Sequence, residues 1–284
     1  MKRFFAVISA FILALSVLSA CGEQPAESAP ESTTVYTEIT ETSVENTVET
    51  TEGVSEEVTE GVSETVSETV SQTVLEEITE NSAPATVEEI VDYFNESANK
   101  IKPTAKKVVK NYEKRIVNKD KLVFPESLAS VASGLIDKFM KDDTEPIVYE
   151  TREEITNEFL VPNQSYVSKL RPEWVKSAEC TDNGKQYIIT IKLKDEKNSV
   201  SGSGVGSVCD VIEAHEVADK APFVEKFETE YYNCGVIATV DKASGNVVHM
   251  KYTVSVLLDI TVDLFGTHDV AAGLTFEKDY TITY

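Results

Sequence analysis

The chain has 284 residues, with 26 basic against 49 acidic side chains and a formal net charge of -23. Such an excess repels phosphate backbones and anionic headgroups, which excludes nucleic acid and anionic lipid surfaces as primary partners. The excess is uneven: sixteen Glu and no Asp, Lys or Arg fall in residues 22–82, which leaves about -9 for residues 83–284.

The chain opens on Met1-Lys2-Arg3, followed by a nearly continuous apolar run from Phe4 to Leu18 without a charge. A membrane span needs about 20 apolar residues. This run is shorter and ends in small residues, which is the pattern of a signal peptide. Its end, Leu18-Ser19-Ala20-Cys21, resembles the lipobox of bacterial lipoproteins. The resemblance implies cleavage after residue 20 and a diacylglycerol, with palmitate-type chains, on the Cys21 sulfur. The implied location is the extracytoplasmic face of the cell membrane. Each buried acyl methylene contributes about 0.8 kcal/mol and stable anchoring takes more than one chain, a condition that a diacyl group meets.

Residues 21–82 form a segment rich in Thr, Glu and Val with one aromatic, Tyr36. That composition buries too little apolar surface to offset chain entropy, so a disordered stalk is expected. Val54, Val58, Val62, Val66, Val70, Val74 and Ile78 recur every four residues. The spacing suits a helical stripe, but Val and Thr form helices poorly and the Glu side chains repel one another. As a neutral coil this segment reaches roughly 40–50 Å, and charge repulsion lengthens it. Residues 83–284 suffice for one sizeable core.

In that domain, Thr86-Val87-Glu88-Glu89 is a capping box that opens a helix with Val87, Ile90, Val91, Phe94, Ala98 and Ile101 on one face. Pro103 interrupts it. The spacing of Val108, Val109, Tyr112 and Ile116 predicts a second helix. Ser127 opens a third, with Leu128, Val131, Leu135, Ile136 and Phe139 inside. Thr151-Arg152-Glu153-Glu154 is another capping box, for a short helix through Phe159.

The pattern then changes to period two. Strands over 174–181 and 186–194 flank Asp182-Asn183-Gly184-Lys185, a hairpin signal. Val208, Val211, Ile212 and His215 suggest one more helix before Pro222. Strands over 230–240 and 247–257, the second continuing to Leu264, flank a turn at 241–246. Leu274, Phe276, Tyr280, Ile282 and Tyr284 mark a last strand.

Helices first and long antiparallel strands last make an α+β plan, with N-terminal helices packed on a curved antiparallel sheet. Behind a lipid anchor, this order resembles the LolA-like lipoprotein families, whose half-open barrel under helices holds an acyl chain. It is also similar to uncharacterised lipoprotein domains of Gram-positive bacteria, with their helical opening around Tyr93-Phe94-Asn95 and a hairpin-rich end. These resemblances imply a half-barrel-like sheet and assign no residue beyond Cys21.

Candidate chemistry is sparse. Cys180, Cys209 and Cys234 permit at most one internal disulfide, of open pairing; the alternative is three buried thiols. His215, His249 and His268 have no ligand spacing. Gly202-Ser203-Gly204-Val205-Gly206 fits neither the dinucleotide nor the P-loop pattern and reads as a flexible connector. Ser203 is not in a nucleophile elbow. Asp259 and Asp263 share a strand face and read as solvated acids. Trp174, Tyr187, Tyr231, Tyr252 and Phe276 are the candidates to line a ligand cavity, with Tyr232 and Tyr280 nearby in sequence. No metal or cofactor is expected. The expected role is non-catalytic binding of an apolar ligand or a cell-envelope component: a lipid, a glycan or an envelope protein. An envelope hydrolase or an accessory subunit of a surface complex is the alternative.

Overall fold

A computed structural model describes residues 82–126, 133–134, 140–213, 217, 223–263 and 266–284. The leader with Cys21, the stalk, most of the helix expected after Ser127, and His215 lie outside the described residues.

Helix α1 (Val87–Asn99) begins at the expected capping box, with Thr86 accepting from the Glu89 amide and the Glu89 carboxylate accepting from the Thr86 amide. It buries Ile90, Val91, Phe94 and Ala98, each worth up to about 1.5–3 kcal/mol for the larger side chains. A single turn, α2 (Ile101–Thr104), follows. Then come β1 (Lys107–Val123), β2 (Ile147–Tyr149), α3 (Arg152–Glu158), β3 (Val175–Asp182), β4 (Gln186–Leu193), β5 (Glu196–Lys197), β6 (Val224–Asp241), β7 (Asn246–Asp263) and β8 (Thr267–Thr283). The eight strands form one antiparallel sheet in the order β2-β1-β8-β7-β6-β4-β3, with β5 beside β6, and the sheet does not close. The described domain is thus mostly β, with α1, α2 and α3 as the helices described in full, rather than an evenly mixed α+β fold.

Two expected helices are corrected. Residues 107–123 are strand β1, not a helix. Its inward positions are Val108, Lys110, Glu113, Arg115 and Val117, with a register shift between Lys110 and Tyr112. Charged inward residues and that shift conceal the period of two, and leave Val108, Val109, Tyr112 and Ile116 at an accidental helical spacing. For the second, expected before Pro222, only its start is corrected: residues 208–213 are not helical, while Val217 is. Val208, Val211 and Ile212 are buried, but the Ile212 amide donates to the Tyr231 hydroxyl at 2.7 Å instead of to a helical carbonyl.

Side chains alternate between sheet faces. One face packs on the helices: Tyr187 meets Tyr93 of α1 edge-on at 5.7 Å, and Tyr280 meets Phe159 edge-on at 5.0 Å. Two asparagines one turn apart tie α1 to the chain at 167–170. The Asn99 carbonyl accepts from the Val167 and Ser168 amides, and its amide donates to the Ser168 carbonyl. Asn95 does the same for Leu170.

Lys102 in α2 is buried, and its Nζ donates to the carbonyls of Thr156, Val161 and Gln164 at 3.3, 3.0 and 2.9 Å. Val161 and Asn163 in this loop have φ of 45° and 61°, so the backbone adopts an uncommon conformation around that ammonium. Burial pushes Lys102 from 10.5 down to about 8. Removing the ammonium in Lys102→Met strands three acceptors, and should cost about 2–4 kcal/mol in urea unfolding. Between about pH 8 and 10.5 the unfolded chain holds the proton that the folded chain releases, so this group adds stability as pH rises through that window. Wild-type stability should therefore gain on Lys102→Met across the window, and a constant difference would refute the assignment.

Candidate functional site

The face toward the helices holds a buried ionic cluster. Lys110 Nζ contacts Glu113 Oε2 at 2.9 Å and Asp143 Oδ2 at 3.2 Å, and Arg115 Nε contacts Glu113 Oε1 at 2.9 Å. Lys278 faces Glu113 from β8, where the two are register partners. Burial pushes the Glu113 carboxyl up, but the charges of Lys278, Lys110 and Arg115 outweigh it and hold it at about 2. A group held so firmly ionised is an ion-pair partner, not a proton donor at neutral pH.

The aromatic candidates are placed as follows. Tyr231 and Tyr252 are fully buried, and the Tyr252 hydroxyl has no hydrogen-bond partner among the described residues. Tyr252 and Phe276 border a recess with Leu160, Cys209, Asp210 and Lys278. Its volume is about 20 Å³, room for one water and far below the ~300 Å³ of small-molecule sites. Tyr187 lies apart from that recess, under α1 and beneath the ammonium of Lys242 at 4.7 Å. Half-buried Trp174 ends a short 3-10 turn, with the Arg171 guanidinium 5.2 Å from its ring.

The remaining candidates occupy separate places. Cys180, Cys209 and Cys234 are free thiols. Burial pushes all three up, Cys234 to about 12, which suppresses the nucleophilic thiolate. His249 Nε2 lies 3.0 Å from Asp279 Oδ2 on the face away from the helices. His268 lies near the other end of the sheet, opposite Val262. Asp259 pairs with Lys226 at 3.0 Å, and Asp263 is exposed. Among the described residues, no three His, Cys, Asp or Glu side chains group to hold a metal ion.

The glycine loop is a packed corner, which corrects its reading as a flexible connector. Gly204–Ser207 is a buried 3-10 turn. The Val205 amide donates to Glu196 Oε2 at 2.7 Å, and the Gly206 amide to Ser199 Oγ at 3.1 Å. A Cβ at Gly204 would overlap the Glu196 carboxylate. The anion this loop cradles is the chain's own.

A wide concavity lies on the other face. Strand β6 carries one extra residue between the Tyr232–Ser255 and Gly235–Thr253 pairs, where Asn233 and Cys234 oppose Val254 alone, with Asn233 at φ 51°. Pairing of β4 with β6 ends at Lys192–Gly235, and β5 resumes it at Glu196–Tyr231. A Cβ at Gly235 would stand 2.6 Å from the Ile191 carbonyl oxygen, so the close approach of β4 requires glycine there. The interrupted ladder opens a groove of about 610 Å³. Its walls include Lys176, Lys192, Lys251, Asp195 and Thr253, with Ile237 41 % exposed among them. Lys251 reaches Glu277 at 3.3 Å, and Asp195 accepts weakly from the Asn233 amide at 3.4 Å.

No family model, curated protein or solved structure matches this chain. The groove contains none of the five aromatic candidates. Its sequence signal is the Asn233-Cys234-Gly235 step inside a strand pattern, since a glycine within a strand often marks a bulge.

The ionic cluster makes stability pH-dependent. The Glu113 carboxyl lies near 2 in the fold against an ordinary 4.5, so the unfolded chain binds the extra proton between those values. Its contribution, about 3 kcal/mol, is whole above pH 4.5 and is lost as pH falls through about 2. Urea midpoints should drop across this window, and Glu113→Gln should flatten the drop. An identical slope in both proteins would dismiss the cluster as a stabilising element.

Proposed function

We propose that this protein is a lipid-anchored lipoprotein on the extracytoplasmic face of the cell membrane, whose domain binds a cell-envelope component without catalysing a reaction. Cys21 carries the lipid, residues 21–82 act as an acidic spacer, and the half-barrel-like sheet presents its groove to the ligand. The observation that carries the binding reading is the groove of about 610 Å³ on the sheet face away from the helices. That size falls in the range of ligand sites, and it lies beside a bulge, where sheets often place functional contacts. An envelope component suits this open face better than an acyl chain held between sheet and helices, where the recess of Tyr252 and Phe276 measures about 20 Å³. Lys110, Glu113, Arg115 and His249 are engaged with charged partners and Cys234 is held as a neutral thiol, which favours binding over hydrolysis. Attachment is assigned to the lipid on Cys21; among the described residues no helix is long and apolar enough to cross a membrane.

Cells fed an alkyne-tagged palmitate should label the full chain, and Cys21→Ser should lose the label and leave the membrane fraction. A labelled or membrane-bound Cys21→Ser protein would overturn the anchor. The detergent-solubilised full chain should cosediment with envelope fragments from its host. Ile237→Trp, which fills the groove, should weaken that by tenfold or more, and undiminished cosedimentation would remove the groove from the binding role.

A further inference from the structure

We propose that the groove takes an extended acidic peptide segment of a partner protein, an inference that rests on the groove being the binding site. Charge complementarity selects the occupant. In a chain of net charge -23, three lysines border this one concavity, against the single carboxylate of Asp195. Lys176 and Lys192 are exposed and form no ion pair among the described residues. Lys251 is paired with Glu277 of the neighbouring strand β8, outside the groove lining, so the two unpaired lysines carry the charge argument. Lysine ammoniums standing free at a partly apolar groove attract carboxylates and set the orientation of what binds.

The groove wall separates a peptide from a sugar. It contains Ile237, Val236, Gly235 and the hydroxyls of Thr190 and Thr253, but no aromatic ring. A saccharide loses its usual stacking platform there, whereas small apolar side chains find contact area over Ile237. Dimensions agree. The lysines come from β3, β4 and β7, and the order β3-β4-β6-β7 places three inter-strand gaps between the outer two. At ~4.8 Å per gap this is about 14 Å, the reach of about four extended residues at ~3.3 Å each. Lys192 and Lys251 are two gaps apart and two residues out of register, since Lys192 pairs with Gly235 and Gly235 with Thr253, so their backbones stand roughly 12 Å apart, the reach of about four extended residues.

The test is fluorescence anisotropy on the detergent-solubilised full chain, with a labelled octapeptide alternating Glu and Val as probe and its Lys-Val counterpart as control. The Glu peptide should bind, more weakly as salt rises, and the Lys peptide should not. Lys176→Glu with Lys192→Glu should weaken binding tenfold or more, and Lys192→Gln, the milder change, about threefold. Lys185→Glu, on the β3–β4 turn outside the groove, should bind as wild type. Unfolding curves that match wild type exclude misfolding as the cause. Equal binding of both peptides, or no response to the lysine variants, overturns the proposal. Polygalacturonate or anionic phospholipid vesicles displacing the peptide at lower charge concentration would overturn the peptide assignment in favour of a glycan or a membrane. Absence of peptide binding while Ile237→Trp still reduces envelope cosedimentation overturns this inference alone and leaves the groove reading standing.

Discussion

Strands of seventeen and eighteen residues impose the constraint on which the rest of this domain depends. Their side chains alternate, so each strand commits about half of its residues to the face that the helices cover. Most of those positions are filled by aliphatic and aromatic groups such as Met250, Val256, Ile260 and Tyr280. Toward β1 they are filled by charges instead. Lys110, Glu113 and Arg115 point inward there, and burial is tolerated because each finds an opposite charge at about 3 Å. The cluster costs desolvation, yet removal of one partner would leave an uncompensated buried charge.

The same ladder explains the groove. Continuous antiparallel pairing presents a nearly featureless face, and a concavity needs an interruption. The one extra residue in β6 supplies it, and the handover of β6 from β4 to β5 widens it. Gly235 allows β4 to stay close on one side of the break. The bulge thus converts a structural irregularity into a recess whose walls come from several strands, positioned by backbone hydrogen bonds rather than by a loop.

Polar groups across the domain are used mainly to lock backbone. Asn95 and Asn99 act as a substitute strand for residues 167–170, Lys102 gathers three carbonyls, and Glu196 occupies the amides of the glycine corner. Each charge or amide so consumed is removed from chemistry. The lysines around the groove contrast with this economy, since two of them do no comparable internal work.

The sequence by itself determined the elements whose signals are local. Thr86 and Thr151 announce their helices through capping boxes, because cap and third residue lie within one turn. The Asn183-Gly184 turn and the alternation of β4, β6, β7 and β8 were legible for the same reason. Only the tertiary structure decided β1, whose inward charges make sense once Asp143 and Lys278 stand beside them. It also decided that Tyr231, Tyr252 and Phe276 are core, and that Lys176, Lys192 and Lys251 share a groove. Residues 75 positions apart meet there through strand order, and strand order is set by how the whole sheet buries its apolar face rather than by any neighbouring pair of residues.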